Sequence, residues 1–363
     1  MSDQEIKIGL SVSVSGKFRL QGRQALDGVL LWQSHANASG GISIGSTHRP
    51  VRLIWHDDSS HASRVRENVL RLIENDHVHI LLGPYSSGLT IAAAEIAEEH
   101  DRTIWNYGGT SDEIFRRGWR YVIGVSSPAS DYLRKLPHLL AREYAKLSRI
   151  CVLYSAKGSF AWQVVRGVME SAKETGHSTE LVPFETPLGN SDASVAALLA
   201  TSPETVVLAG NFDDELMVMR TRPRWPRTLR AIASVAAGIP EFAIQLGQLA
   251  EGVVGPSQWE PGVNSRTTMG PSCDWFVEEF QKQSGVAPNY IAAGSFVAGL
   301  IAAECIRQAA SLDDDKLRSI ASSLDCNTFY GRFRIDPETG KQTGHRILLV
   351  RWEREKKIVL PSC

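Results

Sequence analysis

Apolar positions along this chain follow two alternating rhythms. Short β-branched runs alternate with longer stretches in which apolar residues recur every three or four positions, the periods of strand and helix. Residues 6–14, 51–56, 78–82, 103–105 and 121–125 read as strands, and residues 23–36, 62–74 and 92–99 as helices. A second series opens with a helix at 132–144. It continues through strands at 150–154, 179–184, 205–209 and 229–233 and helices at 162–174, 193–199, 215–220 and 241–246. Residues 253–254 are expected in a strand that returns to the first sheet, followed by helices at 273–283 and 291–310. Segments 327–334 and 345–353 alternate like antiparallel strands. Strand–helix alternation predicts parallel sheets with helices on both faces. Two series of similar size predict an α/β chain of two Rossmann-like, doubly wound lobes, with ligands taken outside the carboxyl ends of the strands and in a cleft where two lobes face each other.

One stretch carries more chemistry than the rest. Residues 78–99 read VHILLGPYSSGLTIAAAEIAEE: a strand, a turn of small residues, then an alanine-rich helix. Such a turn aims the helix's first backbone N–H groups, which lack intrahelical partners, at one point and favours an anion there. Ser86 and Ser87 add hydroxyls. Neither a Gly-x-x-x-x-Gly-Lys nor a Gly-x-Gly-x-x-Gly motif is present, so a carboxylate is a better guest than a nucleotide phosphate. An ordinary capped helix is the competing reading.

Composition narrows the class. The chain has 363 residues, 43% hydrophobic and 22% charged, which is an ordinary globular composition at two-domain length. The formal net charge is −1 with no basic block, which argues against nucleic acid as a partner. The apolar run 291–303 is short and broken by Gly and Ser, so no membrane insertion is expected. Of the cysteines, Cys151 and Cys305 lie in apolar segments and read as buried thiols, and Cys273, Cys326 and Cys363 form no Cys-x-x-Cys pair with them or with each other. No metal site, redox motif or cofactor is indicated. The opening MSDQEIKIGL leads straight into a strand without a basic n-region or apolar h-region. Two readings stay open: a cytoplasmic protein, or a periplasmic one whose leader has been removed.

The run IGLSVSVSGKFRLQGRQALDGVLLW, then HANASGGI, HDDSS, LLGPYSS and NYGGTSD, resembles the type I periplasmic solute-binding proteins. Within them it is most similar to the branched-chain amino acid (Leu/Ile/Val-binding) receptors of ABC transporters. The resemblance implies two lobes joined by three hinge crossovers that close over a small ligand, with a membrane permease as partner. The lobes are expected at 1–123 plus 253–328 and at 124–252 plus 329–363. It also implies that Ser87, beside Ser86, holds the ligand carboxylate, and that the Gly108 carbonyl and Thr110 complete the site.

The second half departs from the amino-acid pattern. Phe160 and Trp162 stand where a Tyr-Gly pair is usual, and Asn211 precedes Phe212 near a later strand end. The loop 234–238, beginning at Ser234, has no carboxylate where an acidic residue would meet an ammonium group. An unpartnered buried ammonium costs several kcal/mol, so an α-amino acid ligand is disfavoured unless Asp213 or Asp214 substitutes. Aromatic residues at expected strand ends (Phe18, Tyr85, Trp105, Tyr107 and Trp259) suit a flat ring, and Arg19 suits a second anionic group. The expectation is an ABC-importer receptor for a small, aromatic carboxylate that performs no chemistry. A cytoplasmic ligand sensor, a branched-chain amino acid binder and an enzyme are the alternatives. The enzyme reading is weakest, because no nucleophile has an evident base and the 56–58 His-Asp-Asp run closes a strand.

Overall fold

The computed structural model describes residues 5–144, 146–263 and 266–361, so Cys363 lies outside the described residues. The chain divides into two compact units. One comprises residues 1–127 and 261–346, the other residues 128–260 and 347–363. It therefore passes from one unit to the other three times.

The first unit is built on a five-stranded parallel sheet in the order Val51–Asp57, Ile6–Val12, Ile80–Leu82, Ile104–Asn106, Val122–Gly124. Ile6, Ile8, Leu10 and Val12 on one face are fully buried, and Gly9 and Ser11 on the other are buried too, as a central strand covered on both faces requires. One face is closed by Val65, Val69 and Leu72 of the helix Ala62–Glu74, which pack with Leu81, Ile104 and Val122. The outer strand Val51–Asp57 is shielded by the helix Arg19–Ala38: Val51 N donates to Asn37 Oδ1 at 2.7 Å, and Leu53 N to Gln33 Oε1 at 2.6 Å. Side chains thus stand in for the missing neighbouring strand and blunt the edge.

The helices Arg19–Ala38 and Tyr290–Ala309 meet through small residues. A Cβ on Gly28 would fall 2.4 Å from Ala292 O, so only glycine permits the approach. By length and composition Tyr290–Ala309 is apolar enough to cross a membrane, a property not expected from its Gly- and Ser-broken sequence. Its apolar window is 72% buried, which makes it a core helix.

The second unit holds a seven-stranded sheet in the order Lys356–Val359, Leu348–Glu353, Val254–Ser257, Ala231–Ser234, Thr205–Ala209, Arg149–Ser155, Ser178–Phe184. The strand Arg149–Ser155 shows why it is covered on both sides. Ile150 and Val152 face one core with the helix Phe160–Glu174, while Cys151 and Leu153 face the other.

Two expectations are corrected. The strand Val254–Ser257 does not return to the first sheet; it lies parallel to Ala231–Ser234 and antiparallel to Leu348–Glu353 in the second. Residues 329–346, expected in the second lobe, sit in the first unit. Phe329 stacks on Phe276 at 4.5 Å and lies 5.6 Å from Phe296, so aromatic burial draws this segment in. The hairpin Ile42–Ile44/Thr47–Arg49 and the helix Asp314–Ser323 are additional elements.

Candidate functional site

The strand Ile80–Leu82 runs through Gly83 and Pro84 into the helix Ser87–Glu99. Ser86 is the N-cap, and its Oγ accepts from Leu89 N at 3.3 Å. The capping reading of this serine is therefore correct, whatever else it does. Its backbone has φ 85° and ψ 145°, a region that favours glycine. Strain of this kind costs about 1–3 kcal/mol and concentrates at functional sites. Ser86→Gly is accordingly expected to melt at or above the wild-type temperature, since glycine is nearly as good a cap. Ser86→Ala keeps the strain, loses the cap and should cost about 1 kcal/mol. Thermal unfolding of the two variants checks the contrast.

Ser87 is buried, and its Oγ accepts from the backbone N–H groups of Thr110, at 3.2 Å, and Ser111, at 3.0 Å. Gly108 packs directly on the 84–85 backbone. Two side chains not singled out from the sequence hold these turns. Thr90 Oγ1 donates to Pro84 O at 3.1 Å, and the Asn106 amide both accepts from Gly109 N at 2.7 Å and donates to Gly109 O at 2.6 Å. Lys341 adds an ion pair to buried Asp112 at 2.9 Å, fixing the far end of the same loop. Ser86, Ser87, Gly108 and Thr110 are thus one constellation at the strand ends of the first unit. Asn106 was legible only as a polar residue closing a buried strand.

Phe18 and Tyr85 flank this constellation, with ring centroids 5.6 Å apart at 73°. The loop carrying Phe18 is tied down by an acidic pair. Asp58 is fully buried and accepts from Ser13 Oγ at 2.5 Å, Ser11 Oγ at 3.2 Å and Ser60 N at 2.8 Å. Burial pushes its carboxyl up, partly offset by those hydrogen bonds. Asp57 is more open. Burial also opposes its charge, but hydrogen bonds from Ser15, Ser59 and the Val14 N–H outweigh it and hold the carboxyl below the usual range. The structural role expected for residues 56–58 fits this arrangement, with His56 Nε2 2.8 Å from Asp76. Arg19 is exposed in the first turn of the helix Arg19–Ala38.

Tyr107 is buried and its hydroxyl meets no hydrogen-bond partner among the described residues. Burial, and then the Asp58 charge, push the phenol up, so it stays neutral. An orphaned buried hydroxyl is a cost. Tyr107→Phe is expected to stabilise the protein by about 1 kcal/mol, read as a rise in melting temperature. A drop would mean that the hydroxyl is in use. Trp105, an aromatic candidate by position, is a fully buried core side chain whose Nε1 is likewise unpartnered.

In the second unit the candidates engage the unit's own groups. Phe160 makes an edge contact with Tyr132 at 5.4 Å, and Trp162, 40% exposed, leans on Tyr154 at 5.8 Å. Asn211 caps the helix Phe212–Met219, and its amide donates to Thr186 Oγ1 and Asp214 Oδ2. Asp214 is engaged by Thr186 and by Leu188 N at 2.8 Å, and Asp213 is exposed in the first helical turn. Ser234 is fully buried and its Oγ donates to Glu215 Oε2 at 2.5 Å. Trp259 is buried, with its carbonyl accepting from Ser257 Oγ at 2.9 Å.

The carboxylate that faces the loop 234–238 is Glu215, which sequence reading had not singled out. It accepts from Gly210 N at 2.6 Å, Ser234 Oγ and Ala236 N at 2.9 Å. Burial nevertheless pushes its carboxyl up to about 7. Only its place in an acidic run, after Asp213 and Asp214, hinted at it. Among the described residues no group of three His, Cys, Asp or Glu side chains is placed to hold a metal ion.

A family model described as periplasmic binding protein matches residues 5–357. The chain belongs to the periplasmic binding protein family. A Leu/Ile/Val-binding protein homolog 7 of Brucella abortus (strain 2308) is 24% identical over 335 residues, 88% of this chain and 82% of that one. A leucine-binding protein of Thermotoga maritima MSB8 superposes with a TM-score of 0.85 at 19% identity, covering 98% of each chain. An ABC-transporter solute-binding protein of R. palustris, solved in complex with benzoate, superposes with a TM-score of 0.81 at 16% identity, covering 98% of this chain and 95% of that one. At such identities the structural matches speak for the fold of this periplasmic binding protein, not for its ligand.

Proposed function

We propose that this periplasmic binding protein is the extracytoplasmic solute receptor of an ABC importer, delivering to a membrane permease a small carboxylate that it binds without chemical change. The carboxylate is taken at Ser87 and Thr110, with the first-turn N–H groups of the helix Ser87–Glu99 supplying the positive dipole end. The observation that carries this reading is the convergence of Ser86, Ser87, Gly108 and Thr110 at parallel strand ends, behind a strained cap and braced by Thr90 and Asn106.

An aromatic body fits better than an amino acid. Phe18 and Tyr85 offer ring faces and edges beside the constellation. Loop 234–238 lacks a carboxylate, and the acid that reaches it, Glu215, is saturated by hydrogen bonds from the protein's own groups. A relative named for Leu, Ile and Val and a structural neighbour holding benzoate mark the two ligand classes to be separated.

A thermal-shift panel on refolded, ligand-free protein tests the proposal. Benzoate-type acids should raise the melting temperature, and leucine, valine and short amides should not. A shift with leucine or valine alone would make the protein an amino-acid receptor. No shift with any acid would overturn the carboxylate reading. Acids recovered unchanged after incubation are expected, and their conversion would revive the enzyme alternative.

A further inference from the structure

The loop entering the helix Arg19–Ala38 carries two cations that meet no carboxylate among the described residues. Lys17 Nζ lies 4.5 Å from the centroid of the Phe18 ring, and Phe18 packs against Tyr85, next in sequence to Ser86 and Ser87. Arg19 follows in the first helical turn, which contains no acidic residue. Among the described residues neither Lys17 nor Arg19 forms an ion pair, whereas Arg23, one turn on, has Asp27 four residues away. Asp57, which holds Ser15 in this loop, is bound by Ser15, Ser59 and the Val14 N–H. Cations at a helix N-terminus oppose the helix dipole. Two unpaired ones beside an aromatic pair and a carboxylate-binding turn therefore work against local stability and raise the positive potential where a ligand would arrive.

We infer that the ligand is an aromatic dicarboxylate: one carboxylate at Ser87 and Thr110, the ring against Phe18 and Tyr85, and the second carboxylate met by Lys17 and Arg19. This rests on the proposed placement of the first carboxylate at Ser87. A bare benzoate leaves the two cations unanswered, and a branched-chain side chain offers them nothing.

Isothermal titration of ligand-free wild-type protein and of the K17A/R19A double variant, each with benzoate and with isophthalate and terephthalate, tests the inference. Exposed charge pairs contribute modestly one by one, so a benzenedicarboxylate is expected to bind wild type about tenfold more tightly than benzoate. That advantage should collapse to about twofold or less in K17A/R19A and shrink at raised ionic strength. Benzoate, which leaves the second carboxylate position empty, should lose no more than about twofold in K17A/R19A, the share of the general positive potential. Equal affinities for benzoate and dicarboxylates in wild type, or a dicarboxylate advantage that survives in K17A/R19A, would overturn the inference and leave the carboxylate site standing. Absence of binding by every acid would overturn the site itself. Folding of the double variant is checked by its melting temperature, expected at or above wild type because two cations leave the positive end of a helix.

Discussion

Gly108→Ala is expected to cost this protein most of its ligand affinity together with about 1–3 kcal/mol of stability, the usual range for overpacking. A Cβ at position 108 would lie 2.5 Å from Pro84 O and 2.7 Å from Tyr85 Cα. Both are backbone atoms, so no side chain can swing aside to relieve the clash. The 84–86 turn has to move, and it carries the strained cap that presents Ser87 to the Thr110 N–H. The same Pro84 carbonyl accepts from Thr90, so the displacement also loosens the brace beneath the helix. A drop of more than about tenfold in acid affinity is expected, measured by titration calorimetry alongside thermal unfolding. Gly189→Ala, in a loop of the second unit, is the matching control: nothing lies within 4 Å of its added Cβ, so it should bind and melt like wild type. Wild-type affinity in Gly108→Ala would remove this turn from the site.

Glu215→Ala should destabilise the second unit by about 2–4 kcal/mol, because it orphans three buried donors, Gly210 N, Ser234 Oγ and Ala236 N, and leaves a cavity. The pH dependence separates this carboxylate from others. Its folded-state value, about 7, lies above that of an unfolded glutamate. Between those values the folded protein holds more protons, so stability declines as pH rises. The contribution is full below the unfolded range and is lost as pH climbs through about 7. Glu215→Gln cannot titrate, so its stability difference from wild type should narrow as pH rises across that window. A pH-independent difference between the two would place the raised value elsewhere. Denaturant unfolding at several pH values makes the measurement.

Much of the fold was open to reading because its strands are buried on both faces and its helices carry periodic apolar faces. The strand Thr205–Ala209 coincides with its expected bounds, and Ser178–Phe184 and Pro240–Leu246 differ by one residue at one end. Failures lie where tertiary context decides. The strand Val254–Ser257 has too little sequence of its own to choose a sheet, and its partner Leu348–Glu353 lies almost a hundred residues away. Residues 132–144, read as one helix, are turn over 132–135, after a 3-10 turn at Ala129–Asp131, and helix only over Leu136–Glu143, with Pro137 in its first turn. There the apolar pattern concealed a break that proline, accepted early in a helix, makes affordable.

At the candidate site, the small-residue turn and its serines were legible because turn chemistry is local. The braces were not. Lys341 reaches Asp112 across 229 positions, and Glu215 meets Ser234 across 19, pairings that only the fold creates. Ser234 looked like a binding hydroxyl on its loop, yet its partner is an internal carboxylate.

Calorimetric titration of wild type and Ser87→Ala with the strongest-binding acid of the panel bears on the central claim most directly. Loss of a hydroxyl that serves a charged ligand group should weaken binding by about 1–3 kcal/mol, roughly 5- to 150-fold, with the variant still folded. Part of that loss comes through the Thr110 and Ser111 N–H groups, which Ser87 Oγ holds in place. Unchanged affinity in a folded Ser87→Ala protein would contradict the account, because it would put the acid somewhere other than the strand ends that Ser87 and Thr110 share.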